Sequence, residues 1–212
     1  MIALCRSVKY PAAMKINIFV IAAAALCSAC AIIPEQVQVE YKPDASVART
    51  QLLSASAVRL QVADARHAEG VSWIADKKNG YGMRLASIAA QRPVADLVRD
   101  AVVQELTARG VRVGEGRTTV TLDITRLESV FQTRFFSVGA IGYADFAVQV
   151  RRVDGSIAYA RNFSVSNDDE AGLAGTAGQA RRSVESALSK VVGQIVSDPA
   201  FIAALSTGPR TT

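Results

Sequence analysis

The hydrophobic and polar positions of this chain follow two regular periods after an apolar N-terminal run. Residues 57–63 alternate apolar and polar side chains and end at Asp64-Ala65-Arg66, which predicts a strand. A shorter strand is predicted near Arg84 to Ala89. Residues 119–125 alternate threonine or aspartate with aliphatic side chains, which predicts a strand in a sheet with one wet face.

Two segments repeat their apolar residues at helical spacing instead. The first begins at Pro93, a residue suited to the first helical turn, and ends at Gly110, which we expect to cap the helix. The second runs from about Thr176 to Val196 and is ended by Asp198-Pro199. Phe201 to Leu205 is predicted to add one more helical turn.

A β-hairpin is predicted around Asp154-Gly155, a dipeptide typical of a two-residue type I′ turn, because long alternating runs flank it. Closing the chain there places the apolar residues of both strands on one face, so the turn and the hydrophobic pattern select the same register. Residues 167–178 are predicted to form an acidic and then glycine-rich loop. The predicted pairs are Val150 with Tyr159, Phe146 with Phe163 and Ala144 with Val165, and Val148 opposite Arg161 is the exception on the apolar face.

This order of elements, which is strand, helix, several antiparallel strands and helix, predicts an α+β fold. We expect a two-layer sandwich, with a mainly antiparallel sheet and two helices packed on one face. The sandwich is predicted to occupy residues 56–206 as a single domain, followed by a flexible tail at 207–212.

The apolar run near the N-terminus has the organisation of a secretory signal. Met14-Lys15 opens a cationic segment, residues 16–26 are apolar, and Leu26-Cys27-Ser28-Ala29-Cys30 resembles the bacterial lipobox, in which two small residues precede a cysteine. In that pattern the thiol receives a diacylglycerol, the chain is cut before the cysteine, and the new amino terminus is acylated. We therefore expect a signal peptide at 1–29 and lipidation of Cys30, and Met14 is a second candidate start.

The lipobox departs from the usual pattern at one position, because Cys27 stands where leucine is usual and Leu26 lies one step earlier. Two alternatives stay open: residues 16–33 could span a bilayer as an uncleaved helix, or an ordinary signal could be removed and leave Cys30 as a free thiol. Ala31 replaces the aspartate that in enteric bacteria commonly retains a lipoprotein in the inner membrane. By this resemblance we expect the outer membrane, with the domain facing the periplasm.

The segment after Cys30 and the overall charge complete this picture. Residues 30–55 contain Pro34 and Pro43 and are predicted to form a lipidated tether that lifts the domain off the membrane, in which only the short Val37-Val39-Tyr41 alternation could be a strand. The leader holds three basic residues and no acidic one, so 21 of the 24 basic side chains remain against 19 acidic ones. The basic balance is therefore no argument for nucleic acid, and we expect none as a partner. All three cysteines lie in or at the end of the leader, so no internal disulfide is expected.

Beyond the lipobox, the chain resembles the YajG-type family of bacterial lipoproteins over most of its mature length. The resemblance rests on order and spacing: a tether with proline, a strand that closes on Asp64-x-Arg66, a helix that ends in Glu105-Leu106-x-x-x-Gly110-Val111-x-Val113, a long hairpin and a C-terminal helix. Its most specific segment is Leu97 to Gly110. The resemblance implies an outer-membrane lipoprotein and supplies no catalytic site.

Candidate chemistry concentrates after the first strand, where Asp64, Arg66, His67 and Glu69 lie close in sequence. His67 is the single histidine of the chain, and an acyl-transfer or hydrolytic site needs a nucleophile beside a base. This loop would serve a cell-wall or lipid-modifying enzyme. The alternative, which we favour, is an end-of-strand turn whose geometry an Asp64–Arg66 pair fixes. We therefore expect no catalytic residue and a protein that is not an enzyme.

No metal or cofactor is expected either. Asp168-Asp169-Glu170 lacks the alternating ligand spacing of a calcium loop, and Gly172 to Gly178 lacks the Gly-Lys-Ser/Thr ending of a phosphate-binding loop. One histidine and one mature cysteine are too few ligands for a structural zinc site. Lys77-Lys78 near Tyr81 is a thin basic patch that indicates either contact with peptidoglycan or anionic lipid, or a solvated turn.

Three of the seven phenylalanines, Phe131, Phe135 and Phe136, fall within six positions. If they are exposed, they form an apolar patch that marks a partner or membrane interface. If they bracket a strand bend, they are core residues, and we favour this interpretation. Together with Asp64 and Arg66, they are the candidate partner-binding residues.

The sequence thus predicts a lipid-anchored envelope lipoprotein that acts as a non-enzymatic binding or assembly module, with an unidentified envelope protein as its partner. An auxiliary subunit of an envelope transport machine is a narrower form of this hypothesis. The enzyme that uses the Asp64–Glu69 loop is the alternative. A deep pocket uniting His67 with a distant carboxylate or hydroxyl would favour the enzyme.

Overall fold

The computed structural model describes residues 33–44, 57–68, 70–79, 81–134, 137–172 and 175–206. The predicted signal peptide, Cys30, Glu69, Phe135 and Phe136 lie outside the described residues, and so does the predicted tail.

Seven strands and three helices make up the described part of the chain. They are β1 (Glu35–Val37), β2 (Val58–Asp64), β3 (Trp73–Lys78), β4 (Arg84–Ala90), α1 (Val94–Ala108), β5 (Thr118–Arg134), β6 (Ser137–Arg151), β7 (Ile157–Gly172), α2 (Ala177–Ser197) and α3 (Pro199–Ser206).

The strands form one open sheet in the order β1-β4-β3-β5-β6-β7, and β2 pairs with β5 outside this path. The pairs β3–β4, β5–β6 and β6–β7 are antiparallel, whereas β1–β4, β2–β5 and β3–β5 are parallel. The predicted α+β class is confirmed, but the sheet is mixed and the described helices number three. Parallel pairs join strands that are far apart in sequence, so the alternation of any one strand does not reveal them.

The predicted register of the β6–β7 hairpin is confirmed at all three apolar pairs and at Val148 opposite Arg161. The predicted turn type is wrong, since only Gly155 has a positive φ, of 81°, and a type I′ turn needs two such residues. Arg152 N donates to Ser156 O and Gly155 N to Arg152 O, which describes a three-residue loop. A bulge next to Val150 then takes up the extra residue of β7 and restores the predicted register.

Both long helices begin and end as the sequence predicts. Gly110 has a φ of 84°, and Val111 N donates to Leu106 O, so a glycine cap closes α1. At the start of α2, Thr176 and Gln179 form a reciprocal capping box. Both helices contribute to one core with the inner face of the sheet.

The core lies between the helices and one face of the sheet. A Cβ atom on Gly142 of β6 would lie 2.0 Å from Ser183 O, so glycine permits α2 to approach the sheet this closely. The other face carries no described helix. The largest fully buried apolar side chains are Phe146, Phe201, Ile74, Ile88, Leu106, Leu122, Ile124, Leu127, Leu188, Ile195 and Leu205.

Residues 35–44, which the sequence prediction places in the tether, pack on the domain instead. β1 pairs with β4, Val39 is buried in the core, and Glu40 N donates to the Glu185 carboxylate at 3.0 Å. The alternating apolar residues of this segment gain cover that a tether in water would not give them. The prediction is therefore wrong for this segment, and four residues separate Cys30 from β1.

Two further strand boundaries differ from the sequence prediction. β3 was not predicted, because its polar end, Asp76-Lys77-Lys78, hides the alternation. β7 continues to Gly172, so residues 167–172 are strand rather than loop. The reason is that β6 continues alongside, with Ile141 opposite Asp168 and Val138 opposite Gly172.

Candidate functional site

Two shorter strands, β2 and β3, pair with the same edge of β5, and a gap separates them. β2 pairs with Thr118 to Ile124 of β5, while β3 meets β5 only where Ala75 lies opposite Ser129. β2 ends at Asp64, where the chain turns away. The segment of β5 between the two neighbours therefore needs other hydrogen-bond donors for its carbonyl groups.

Arg66 supplies one of those donors. Its Nη1 donates to Leu127 O of β5 at 2.8 Å and to Trp73 O of β3 at 2.9 Å. Its Nε and Nη2 donate to the two carboxylate oxygens of Asp64 at 2.7 and 2.8 Å. One guanidinium thus joins β2, β3 and β5, and only 4% of the Arg66 side chain is exposed.

The carboxyl group of Asp64 responds to two opposing effects. Burial raises its pKa, but the hydrogen bonds and the charge of Arg66 outweigh burial and hold the pKa below its usual value. The Asp64–Arg66 pair that the sequence predicts is therefore present as an ionised, bidentate pair, the strong form of an arginine–carboxylate contact.

A cleft of about 380 Å³ opens beside this pair on the face of the sheet that carries no described helix. It brings His67 together with Asp76 and Glu128, which are the distant carboxylates that a catalytic site would need. Its lining residues are Arg66, His67, Ala68, Trp73, Asp76, Thr125, Arg126, Leu127 and Glu128.

Asp76, Glu128 and Thr125 of the cleft already have hydrogen-bond partners. Asp76 accepts a hydrogen bond from Trp73 Nε1 at 2.9 Å and pairs with Arg84 at 2.9 Å. The Thr125 hydroxyl donates to Asp145 O at 2.8 Å, so its proton is directed at the backbone rather than at His67. The carboxylates and the hydroxyl that could take part in proton transfer are therefore already hydrogen-bonded.

Arg126 and Tyr143 form the centre of the surface next to the cleft. The guanidinium of Arg126 lies 3.7 Å from the centroid of the Tyr143 ring and donates to Glu128 at 2.7 Å. A cation placed on an aromatic face is held in one orientation. The sequence did not predict this cluster, because a bulge at Thr125 shifts the register between β5 and β6. Trp73, the single tryptophan, was the available signal.

Phe131, the described member of the phenylalanine trio, is half-buried against the core. A Cβ atom on Gly175 would lie 2.9 Å from its ring, so the segment before α2 covers it. The exposed patch that would mark an interface is therefore not formed by Phe131. Within the described ranges, no group of three or more His, Cys, Asp or Glu side chains could hold a metal ion.

A second charged cluster, which the sequence did not predict, lies where β7 meets the turn between α2 and α3. The buried carboxylate of Asp198 accepts hydrogen bonds from the Tyr159 hydroxyl at 2.8 Å and from Arg161 Nη1 at 2.7 Å. Burial and the hydrogen bond to Asp198 raise the pKa of the Tyr159 phenol above its usual value, so Tyr159 remains a donor. This cluster fixes the helices to the sheet.

Comparison with known families decides the family of this chain. The family described as "Uncharacterized lipoprotein" matches residues 43–206, which is well over half of the sequence. The chain belongs to this YajG family of lipoproteins. The resemblance found in the sequence is confirmed. No curated protein is similar enough to the chain to count as a match.

Several solved structures are similar to this lipoprotein at low sequence identity, and the first of them shares its fold. Protein XCC0632 from Xanthomonas campestris aligns with a TM-score of 0.58 at 15% identity, over 81% of this chain and 96% of its own. A minor lipoprotein from Acinetobacter baumannii aligns with a TM-score of 0.40 at 11% identity, over 69% and 96%. Lipoprotein GNA1162 from Neisseria meningitidis aligns with a TM-score of 0.29 at 9% identity, over 66% and 97%.

Among the helices that the structure describes, none alone has the length and apolar character to cross a bilayer, and only the bent pair α2–α3, with 57° between its members, could do so on length and composition.

Proposed function

We propose that this lipoprotein is acylated on Cys30, is held in the outer membrane facing the periplasm, and acts as a non-enzymatic binding module for another envelope protein. Membership of a lipoprotein family supports the anchor, since the lipobox-like segment ends in the one cysteine that a lipoprotein of this kind requires. Three acyl chains, as in bacterial lipoproteins of this type, would make the attachment persistent.

The binding role is supported mainly by the grouping of Trp73, Arg126 and Tyr143 on the helix-free face, which is the face of the sheet that carries no described helix. Tryptophan, tyrosine and arginine are the residues that contribute most to protein interfaces, especially when they are held rigid. Here Trp73 is fixed by Asp76, and Arg126 is fixed by Glu128.

The surroundings of this cluster also suit a protein partner. The outward side chains of β6 and β7 beside it are small or polar, for example Ala147 opposite Asn162 and Asp145 opposite Ser164. A broad face of small and polar side chains around a rigid aromatic and arginine centre fits a folded surface better than it fits a small substrate. The enzyme alternative has less support, because the carboxylates and the Thr125 hydroxyl are engaged.

Site-specific photocrosslinking in the native bacterium tests the binding role. A photoreactive residue at Asn162, on the helix-free face, should give one discrete adduct with another protein. The same residue at Gln104, exposed on α1 on the opposite layer, is the matched control and should give none. An adduct at Gln104 alone, or equal adducts at both positions, would contradict the proposed surface. The adduct at Asn162 should also weaken in the Arg126→Ala variant.

Separation of inner and outer membranes tests the location. The wild-type chain should sediment with the outer membrane, and the Cys30→Ala variant should leave that fraction. Wild-type protein in the inner membrane would refute the outer-membrane assignment, and a Cys30→Ala variant that stays with the outer membrane would refute anchoring through Cys30.

A further inference from the structure

The turn between β3 and β4 exposes two apolar side chains to solvent, and hydrogen bonds within the turn hold its backbone. Tyr81 is 91% exposed and Met83 is 61% exposed. The Asn79 side-chain oxygen accepts from Tyr81 N at 3.0 Å and from Met83 N at 2.9 Å, and Gly82 N donates to Asn79 O at 2.9 Å. The turn therefore satisfies these three backbone groups internally.

The direction of the strands places this turn at a particular end of the sheet. β1 is parallel to β4, with Glu35 opposite Ile88. β4 begins at Arg84, directly after the turn. Because β1 runs parallel to β4, β1 also begins at the side of the sheet where the turn lies. β5 ends and β6 begins at this end as well, since β3 and β5 run in the same direction.

The length of chain before β1 limits how far this end can be from the lipidation site. Cys30 precedes Glu35 by five residues, which even fully extended span no more than about 18 Å. Residues 35–44 cannot add to this reach, because they are paired with β4 or packed against the helices. If Cys30 is acylated, this end of the sheet is therefore held close to the bilayer.

The chemistry of the turn matches the surface that such an anchor would bring near. Tyrosine is enriched where membrane meets water, because its ring is apolar and its hydroxyl is polar. Exposed Lys78 adjoins the turn and would attract anionic headgroups. Backbone groups that are satisfied within the turn do not have to lose their water when the tip enters the interface.

We propose that the β3–β4 turn is a second membrane contact, in which Tyr81 and Met83 enter the headgroup region of the bilayer that holds the acylated Cys30. This contact alone would be too weak to hold the protein on the membrane. It fixes the orientation of the domain, because a lipid chain at one point and a tip at another leave less rotational freedom than one flexible attachment. This inference rests on the proposed acylation of Cys30.

The opposite end of the sheet provides a matched control. Val153, in the β6–β7 turn, is an apolar side chain that is 70% exposed. It lies beyond the far end of β6, a strand of 15 residues, which corresponds to about 50 Å of extended chain. An orientation fixed by the β3–β4 turn keeps Val153 away from the bilayer.

Quenching by brominated lipid in reconstituted vesicles tests the contact. The full-length lipoprotein, extracted from membranes and returned to vesicles of phosphatidylethanolamine and phosphatidylglycerol, would carry either Tyr81→Trp or Val153→Trp, with the emission of Trp73 in the wild type subtracted. Phospholipid brominated on its acyl chains should quench the added emission of Tyr81→Trp, which should also shift to shorter wavelength, and should leave Val153→Trp unchanged.

Flotation of the same vesicles separates the two ways in which the experiment can fail. If the wild-type chain floats with the vesicles and Cys30→Ala does not, the anchor holds, and a Tyr81→Trp emission that is quenched no more than that of Val153→Trp overturns the second contact alone. If the wild-type chain does not float, the proposed anchor fails and the contact fails with it.

Discussion

The Asp64–Arg66 and Arg161–Asp198 pairs each connect elements of this fold, and they differ in where the arginine lies. In the Asp64–Arg66 pair both side chains are largely buried, and Arg66 also donates to the backbone of two strands. In the Arg161–Asp198 pair the aspartate is buried, but 61% of the Arg161 side chain is exposed. The similar bond lengths of the two pairs, 2.7 Å each, hide this difference.

The contribution of each ion pair to stability depends on which buried polar groups lose their partners when the arginine is removed. Without the Arg66 side chain, a carboxylate and two strand carbonyls lose their guanidinium donors in a region that solvent barely reaches. Without Arg161, Asp198 still accepts from Tyr159 and from Ala200 N, and water reaches the site of the lost guanidinium. Arg66 bridges the gap between β2 and β3 in the sheet. Arg161 adds one exposed hydrogen bond to a site in which Asp198 already binds Tyr159 and the start of α3.

The largest expected effect follows removal of the buried cation. Arg66→Met should lower the free energy of unfolding by about 3–5 kcal/mol, because it breaks a buried pair and leaves its partner charged. Urea unfolding at neutral pH measures the change. The double variant Asp64→Asn with Arg66→Met is the control and should recover part of the loss. A loss of less than about 1 kcal/mol in the single variant would show that Arg66 does not close the gap between β2 and β3.

The second effect concerns the buried aspartate of the other pair. Asp198→Ala should cost about 2 kcal/mol, since it removes the acceptor of Tyr159 and the side chain that caps α3 through Ala200 N. Tyr159→Phe, which removes one of these hydrogen bonds, should cost less. If the two variants unfold at the same urea concentration, the cap on α3 contributes nothing.

Acid should weaken both pairs. The pKa values of Asp64 and Asp198 are raised by burial but lowered more strongly by their hydrogen-bond donors, so each folded pKa lies below the unfolded value of about 4. Their contribution to stability is therefore complete above that value and is lost as the pH falls through the folded pKa values. The urea midpoint should drop on acidification, and it should drop less in Asp64→Asn. An equal drop in wild type and variant would mean that Asp64 is not linked to folding.

The smallest effect is expected at the exposed cation. Arg161→Met should change the urea midpoint no more than an ordinary surface substitution, because the guanidinium is solvated. It is the direct counterpart of Arg66→Met, with the same pair of residue types. A loss as large as that of Arg66→Met would mean that the exposure of the arginine does not decide how much the pair contributes to stability.

The sequence anticipates the parts of this fold whose partners lie nearby in the chain. Asp154-Gly155 and the alternation on both sides predict the β6–β7 register, and a local bulge absorbs the wrong turn type. Asp64 and Arg66 are two residues apart, so their pair could also be predicted. Proximity in sequence makes such contacts visible.

Contacts between distant segments could not be predicted in the same way. β1 pairs with a strand some fifty residues away, so the Val37-Val39-Tyr41 alternation does not reveal its partner. The meeting of Trp73, Arg126 and Tyr143 depends on which edge β3 joins and on the bulge at Thr125. Neither feature has a sequence signal, and the binding surface we propose depends on both.

The mass of the intact mature chain shows directly whether Cys30 is acylated. Protein extracted from the membrane should begin at Cys30 and carry the additional mass of three acyl chains, and a Cys30→Ala variant should lack that mass. An unmodified chain, or one that keeps residues 1–29, would contradict the lipid anchor and the membrane contact inferred from it.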